Sequence, residues 1–360
     1  MTIVDTSPAA AVAQRLPLRG RVVRGPGFSV RLDPRTIAVC IGLTIATVAL
    51  GLVSISVGSF DVPIADVIQH LLGNPTEDTE FIVGTLRLPR VLVAIGVGFA
   101  FGMSGAIFQS LVRNPLGSPD LIGFTSGASL GAVIVIFYID GSRAQISAGA
   151  VLGGAITAVL VYFLAWKRGV QAYRLVLVGI GAKFAVDALV DYSLTRADVR
   201  DVQEAAVWLT GSLNGRSWDD FRVIVVALVV LGPLAVLMQR RLDRLELGDD
   251  TAAALGLSVA RAKLALVIVG VGLASLGVAS AGPVVFIAFV AGPVARRLIS
   301  SPGAAVVAAG FTGAFLMVLA DLAARTLVPG TDVPVGIMTA GIGGPYLLWL
   351  LHRQARTGAL

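Results

Sequence analysis

From Val91 to Leu111 the chain reads VLVAIGVGFAFGMSGAIFQSL, without one ionisable side chain. The hydrocarbon core of a bilayer is about 30 Å thick and takes roughly 20 apolar helical residues to cross. Backbone N–H and C=O groups in lipid must bond within the segment, so a helix is the form open to this run. Arg87, Pro89 and Arg90 stand before it; Asn114, Pro115, Ser118, Pro119 and Asp120 follow it, and a second apolar run starts at once. Asn114-Pro115 stops the first helix, and Ser118 is predicted to cap the next, with Pro119 in its first turn. The stretch Arg87–Phe124 therefore reads as a membrane hairpin with a chemically detailed turn.

The rest of the chain has the same character. Only 14% of its 360 residues are charged and 56% are hydrophobic, whereas soluble domains carry about 25% charged residues. Forty-two glycines suit membrane helices that pack through small side chains. The lone cysteine, Cys40, lies in an apolar run, which leaves no disulfide framework or metal cluster to build. A net charge of +6 comes without a basic patch interleaved with aromatics, so no nucleic-acid partner is expected.

Ten apolar segments are predicted as spans, at 37–57, 89–110, 119–139, 145–166, 173–194, 220–239, 262–281, 283–299, 303–326 and 335–351. Residues 61–72 suit a short surface helix and 203–212 another. Residues 1–36 are basic and lack the compact apolar core of a secretory signal. They read as a disordered cytoplasmic arm ahead of a ten-helix transmembrane domain over 37–353, with 354–360 as a cytoplasmic tail. With the N-terminus inside, 19 of the 28 basic residues fall on one side, including Arg113, Lys167, Lys263, Arg296 and Arg297. Positive residues mark cytoplasmic loops, so both termini are expected in the cytoplasm, as an even helix count also requires.

Catalytic chemistry is hard to place. His70 and His352 lie at opposite ends of spans, and Gly123–Ser129 (GFTSGAS) lacks both Gly-x-Ser-x-Gly spacing and a histidine base. None of the three lysines follows a glycine, so no phosphate-binding loop exists and the chain has no ATPase site of its own. No catalytic residue, bound cofactor or metal is expected.

Two clusters do carry chemistry. In the loop 240–263, Asp249, Asp250 and Thr251 offer N-terminal caps, and Gly256 suits the position just past a short helix. Ala254, Leu255 and Leu257 would make an apolar knob for a groove on a partner protein, or simply an amphipathic connector. In the fifth span Lys183, Asp187 and Asp191 share one helical face. A charge there costs at least about 2.5 kcal/mol and faces protein or water. The residues read either as a self-neutralising ion pair or as the wall of a water-filled path for an anionic solute.

Taken together, RLPR at 87–90, SGAIFQSLVRNPLGSPDLIGF at 104–124, LGDDTAAALGLS at 247–258, GPVVFIAFVAGPVARRL at 282–298 and VPVGIMTAGIGGPYLLWLL at 333–351 resemble the FecCD-type permease subunits of ATP-driven importers for iron-siderophores, haem and vitamin B12. The likeness covers nearly all of the chain after residue 36 and is closest to the ferric-enterobactin (catecholate-siderophore) permeases. It implies an all-α polytopic protein of about ten transmembrane helices with the type II ABC importer permease fold, in the cytoplasmic membrane. It implies as partners a second permease subunit, identical or paralogous, two cytosolic ATPases that use ATP and Mg, an extracytoplasmic siderophore-binding protein, and membrane lipid.

The resemblance also implies roles. Arg87, Arg90 and Arg325 would meet glutamates on the binding protein. Asp249, Asp250, Thr251, Ala254, Leu255 and Gly256 would form the element that enters the ATPase cleft, and Lys183 and Asp187 would line the solute path. Two departures stand out. Ala291-Gly292-Pro293-Val294 lacks a histidine frequent after this proline, and Thr331-Asp332-Val333-Pro334 keeps only the acid and proline of a frequent Glu-Leu-Pro. A haem or corrinoid solute, or an ion-coupled carrier using Lys183, Asp187 and Asp191 as a proton relay, are the alternatives.

Overall fold

The computed structural model describes residues 21–25, 28–58, 60–167, 171–300, 303–327 and 332–357. Residues 1–20 of the arm and 358–360 of the tail lie outside them. Two strands, β1 (Arg21–Gly25) and β2 (Phe28–Leu32), pair antiparallel with Arg21 opposite Leu32. This part of the arm was expected to lack structure. Valines 22, 23 and 30 favour a pleated strand, and the Gly25-Pro26-Gly27 sequence between the strands is turn chemistry.

Helix α1 (Pro34–Ser56) starts at Asp33, whose carboxylate accepts the Arg35 N–H, with Pro34 at the first helical position. A surface helix, α2 (Ile64–Leu71), follows. A single turn at Glu77–Thr79 then runs through a π-helical stretch, Glu80–Arg87, into α3 (Leu88–Val112). After a 3-10 turn at Pro119–Ile122 come α4 (Phe124–Ile139), α5 (Arg143–Leu164), α6 (Ala172–Arg196) and the short α7 (Val199–Leu209). The chain continues through α8 (Trp218–Glu246), the six-residue α9 (Asp249–Ala254) and α10 (Val259–Ala281). It ends with α11 (Ile287–Ile299), α12 (Val306–Thr326) and α13 (Val335–Thr357).

Each of the ten expected spans corresponds to a helix, but not every helix is a full crossing. Among the described residues, six are long and apolar enough to cross a membrane: α1, the Glu80–Val112 rod, α5, α8, α10 and α12. The eighth segment differs most. Its helix has 13 residues, rising about 20 Å, because Pro283 helps end α10 at Gly282 and Phe286, in the left-handed region, delays the next helix to Ile287. Gly282 and Phe286 both have positive φ, and the chain between them is not helical. The third segment also starts late. Ser118 makes no side-chain cap bond, Gly123 turns left-handed at φ 70°, and α4 begins only at Phe124. Helix α13 continues through 354–357, which was expected to be tail.

Helix α3 is the axis of the molecule, buried along most of its length and surrounded by α8, α10, α11 and α12. Its contact with α12 is backbone to backbone. A Cβ on Gly98 would sit 2.4 Å from the Gly313 carbonyl oxygen, and one on Gly102 would sit 2.1 Å from that of Ala309. Such approach lets dispersion hold helices that gain nothing from expelling water. Helices α1, α5 and α8 instead present Ile37, Ile41, Ile45, Ile156, Phe163, Val229 and Leu237 outward, the apolar belt a lipid-facing rim requires.

Gly102→Val should force α3 and α12 apart and lower the melting temperature in detergent by several degrees, the scale of an overpacking cost of about 1–3 kcal/mol. Gly42→Val, with nothing within 4 Å of the added carbon, should leave it unchanged. Equal melting temperatures for the two variants would contradict the backbone contact.

Candidate docking, coupling and solute-path sites

One end of the α3 rod gathers the three arginines expected to dock a binding protein. Arg87 ends the π-helical stretch and donates from Nη1 to the carbonyls of Ile55 (2.6 Å) and Ser56 (3.2 Å), and from Nη2 to that of Phe60 (2.6 Å). Arg325, in the last turn of α12, donates to the carbonyls of Val57 (3.2 Å) and Ser54 (2.8 Å) and to the Ser54 hydroxyl. Both therefore satisfy carbonyls at and just past the end of α1, where a helix leaves four acceptors unpaired and its dipole favours a cation.

Arg90 makes a two-pronged pair with Asp321, from Nη2 at 2.8 Å and Nε at 3.0 Å to the same Oδ1. The carboxylate of Asp321 is fully buried, and Arg325 Nε approaches its other oxygen at 3.5 Å. Asp61 and Asp332 lie within electrostatic range of Arg87 and Arg325. The three arginines lie together and serve as internal fasteners, and Asp321 is the residue that sequence reasoning passed over. Its signal was an acid four residues before Arg325 in an otherwise apolar run.

The opposite end of the rod carries α9. Gly248, at φ 106°, occupies the N-cap position, so Asp249, Asp250 and Thr251 do not cap as expected but form the first turn. Asp249 pairs instead with Arg113 Nη2 at 3.3 Å and Lys263 Nζ at 2.5 Å. Gly256, at φ 80°, takes the expected place past the C-terminus. Its N–H bonds the Ala253 carbonyl and that of Leu257 bonds Ala252, the Schellman pattern. Ala254 and Leu255 are exposed, with Asp250 and Thr251 on the same short helix, whereas Leu257 turns back against the core.

In α6, Lys183 Nζ lies 2.5 Å from Asp187 Oδ2, and both side chains are partly exposed. Asp191 is exposed and outside this pair. The turn after α3 reaches the middle of α6, where a Cβ on Gly123 would sit 3.4 Å from the Lys183 backbone nitrogen. Asp120 of that turn accepts from Thr125 and lies within electrostatic range of Lys183. The lysine thus stands among carboxylates. Ser126 is buried, and Gly127 presses on Thr157 of α5, so the serine-rich stretch is packing surface. Among the described residues no His, Cys, Asp or Glu cluster could hold a metal ion.

Gln109, near the end of α3, was also missed. Pro293 has no N–H, which leaves the Phe289 carbonyl without its helical partner. Gln109 Nε2 donates to that carbonyl at 3.0 Å and to Ala288 at 3.2 Å, while its Oε1 accepts from Arg296 at 2.8 Å. The bend of α11 is therefore fastened to α3, with valine where the histidine is frequent.

Residues 46–353 match the FecCD transport family. The chain belongs to that family. It is 38% identical over 327 residues to the ferric enterobactin transport system permease protein of Escherichia coli (strain K12), covering 91% of this chain and 99% of that one. It is 34% identical to the hemin transport system permease protein of Yersinia pestis, with 90% and 97% covered. A solved structure described as a metal-chelate type ABC transporter in an inward-facing conformation aligns with TM-score 0.77 and 26% identity. The alignment covers 88% of this chain and 99% of that chain. The fold is thus that of an ABC importer permease, a multi-pass membrane subunit.

Within this family fold, the arginine cluster depends on Asp321. Asp321→Asn should cost about 3–5 kcal/mol, the range for breaking a buried pair from one side, and lower the melting temperature measured in detergent. Asp191→Asn, at an exposed position, should not. If both variants melt with the wild type, Asp321 is not the fastener described.

Proposed function

We propose that this chain is the membrane-spanning subunit through which a catecholate ferric-siderophore crosses the cytoplasmic membrane, driven by ATP hydrolysed on separate subunits. The observation that carries the reading is the 38% identity to the ferric enterobactin permease over nearly the full length of both chains. In this reading both termini are cytoplasmic and the arginine end faces outward, toward a solute-binding protein. Two copies, or one copy and a paralogue, enclose the path. Arg–carboxylate pairs suit such docking because they give geometry and steering as well as affinity. The α9 knob, with Leu255 exposed between the short helix and a left-handed glycine, enters a cleft of the ATPase.

Lys183 and Asp187 line the path. Their pairing lowers the cost of a charge in the membrane, and the partly exposed ammonium would have to exchange Asp187 for an anionic ferric-catecholate to hold it. The closed 2.5 Å pair weighs against a free-running proton relay.

Reconstituted with its ATPase and binding protein, the permease should take up ferric-catecholate only with ATP present. Uptake of haem alone would overturn the solute assignment, and uptake driven by a proton gradient without ATP would overturn the energy source. Lys183→Met should slow uptake of the anionic chelate. The double variant Lys183→Met with Asp187→Leu, which removes the unpaired acid, should recover the melting temperature but not the rate. Recovery of both would leave the pair as packing only.

A further inference from the structure

Asp249 opens the helix that presents the coupling knob, yet its carboxylate is directed inward to two cations from two other elements. Arg113 comes from the end of α3, and Lys263 from the start of α10. Lys263, near the start of α10, is almost fully buried, and a buried ammonium needs a counter-charge at that spot. Arg113 lies beyond the last turn of α3 in the left-handed region, φ 54°. Glycine or asparagine would hold that conformation at less cost, so the guanidinium is what arginine adds there. It runs alongside α9: a Cβ on Gly248 would come within 3.6 Å of Arg113 Nη1.

The other end of the same rod is fixed by Arg90 and Asp321. Glu80–Val112 is one continuous helical stretch of 33 residues, about 50 Å long. It therefore carries the Arg90–Asp321 pair about 15 Å from its start, close backbone contacts along its middle, and Arg113 just past its last residue.

We propose that Arg113 is a positioning residue of the transport cycle. Through Asp249 it fastens α9 to the end of α3, so that a displacement of α9 by the ATPase reaches α3 and the 114–118 turn instead of dissipating in the loop. This rests on the reading that α9 docks the ATPase. The Arg113 and Asp249 side chains are both partly exposed, and solvent-screened pairs add little to stability. Removing the guanidinium should accordingly spare the fold and spoil the transmission.

The test uses the assembled importer in proteoliposomes with its binding protein. In Arg113→Ala the ATPase should copurify in wild-type amount and the melting temperature should hold. Solute moved per ATP hydrolysed should fall at least about fivefold, the low end of typical site-to-site coupling. Arg113→Lys should restore more than half of the ratio, and Arg113→Ala combined with Asp249→Asn should be no worse than Asp249→Asn alone. An unchanged ratio in Arg113→Ala, or losses that multiply in the double variant, would overturn the proposal. Leu255→Asp separates the two claims: it should release the ATPase from the complex, and a retained ATPase would overturn the docking reading itself.

Discussion

The contact between α3 and α12 is the constraint from which the rest of the molecule follows. Gly98 and Gly102 meet Gly313 and Ala309 so closely that no side chain fits between the backbones. That contact brings Arg90 of α3 against Asp321 of α12, and sets Arg325 beside the end of α1. Without it, the fully buried Asp321 would lose its hydrogen-bonded partner and keep only the 3.5 Å approach of Arg325, and an under-paired buried carboxylate is costly. Small residues along the middle and a charge pair at the end are therefore one arrangement.

Polar groups recur in this apolar protein wherever a helix ends or bends. Arg87 and Arg325 cover the carbonyls closing α1, Gln109 covers the carbonyl that Pro293 leaves bare, and Trp218 Nε1 donates to the Gly84 carbonyl in the π-helical stretch. In lipid no water is available to do this, so the side chains must. Several of these groups sit near the ends of the α3 rod, where the proposed function places the partner contacts. In the proposed function, holding the fold and presenting a docking surface fall to overlapping residues.

Much of this was legible in the chain itself. The apolar runs announced the helices, and Gly256 announced the end of α9. The spacing of Lys183 and Asp187 announced their pair. What was not legible depended on partners distant in sequence. Asp321 looked like an isolated acid until Arg90, 231 residues away, met it. Gln109 has a purpose only because a proline on another helix frees a carbonyl. Arg113 counted merely as one positive charge near a turn, because nothing local shows that Asp249 reaches it. The Gly282–Phe286 break was visible as Gly-Pro, but the surrounding apolar residues concealed that the helix starts five residues later.

In the proposed function the two ends of the α3 rod face opposite sides of the membrane, the arginine end outward and α9 inward. Single cysteines at Asp61 and Leu255, in a Cys40→Ser background, can be probed in intact cells with a membrane-impermeant thiol reagent. The cysteine at 61 should label in intact cells and that at 255 only after permeabilisation. Labelling of position 255 from outside, with 61 protected, would contradict the account.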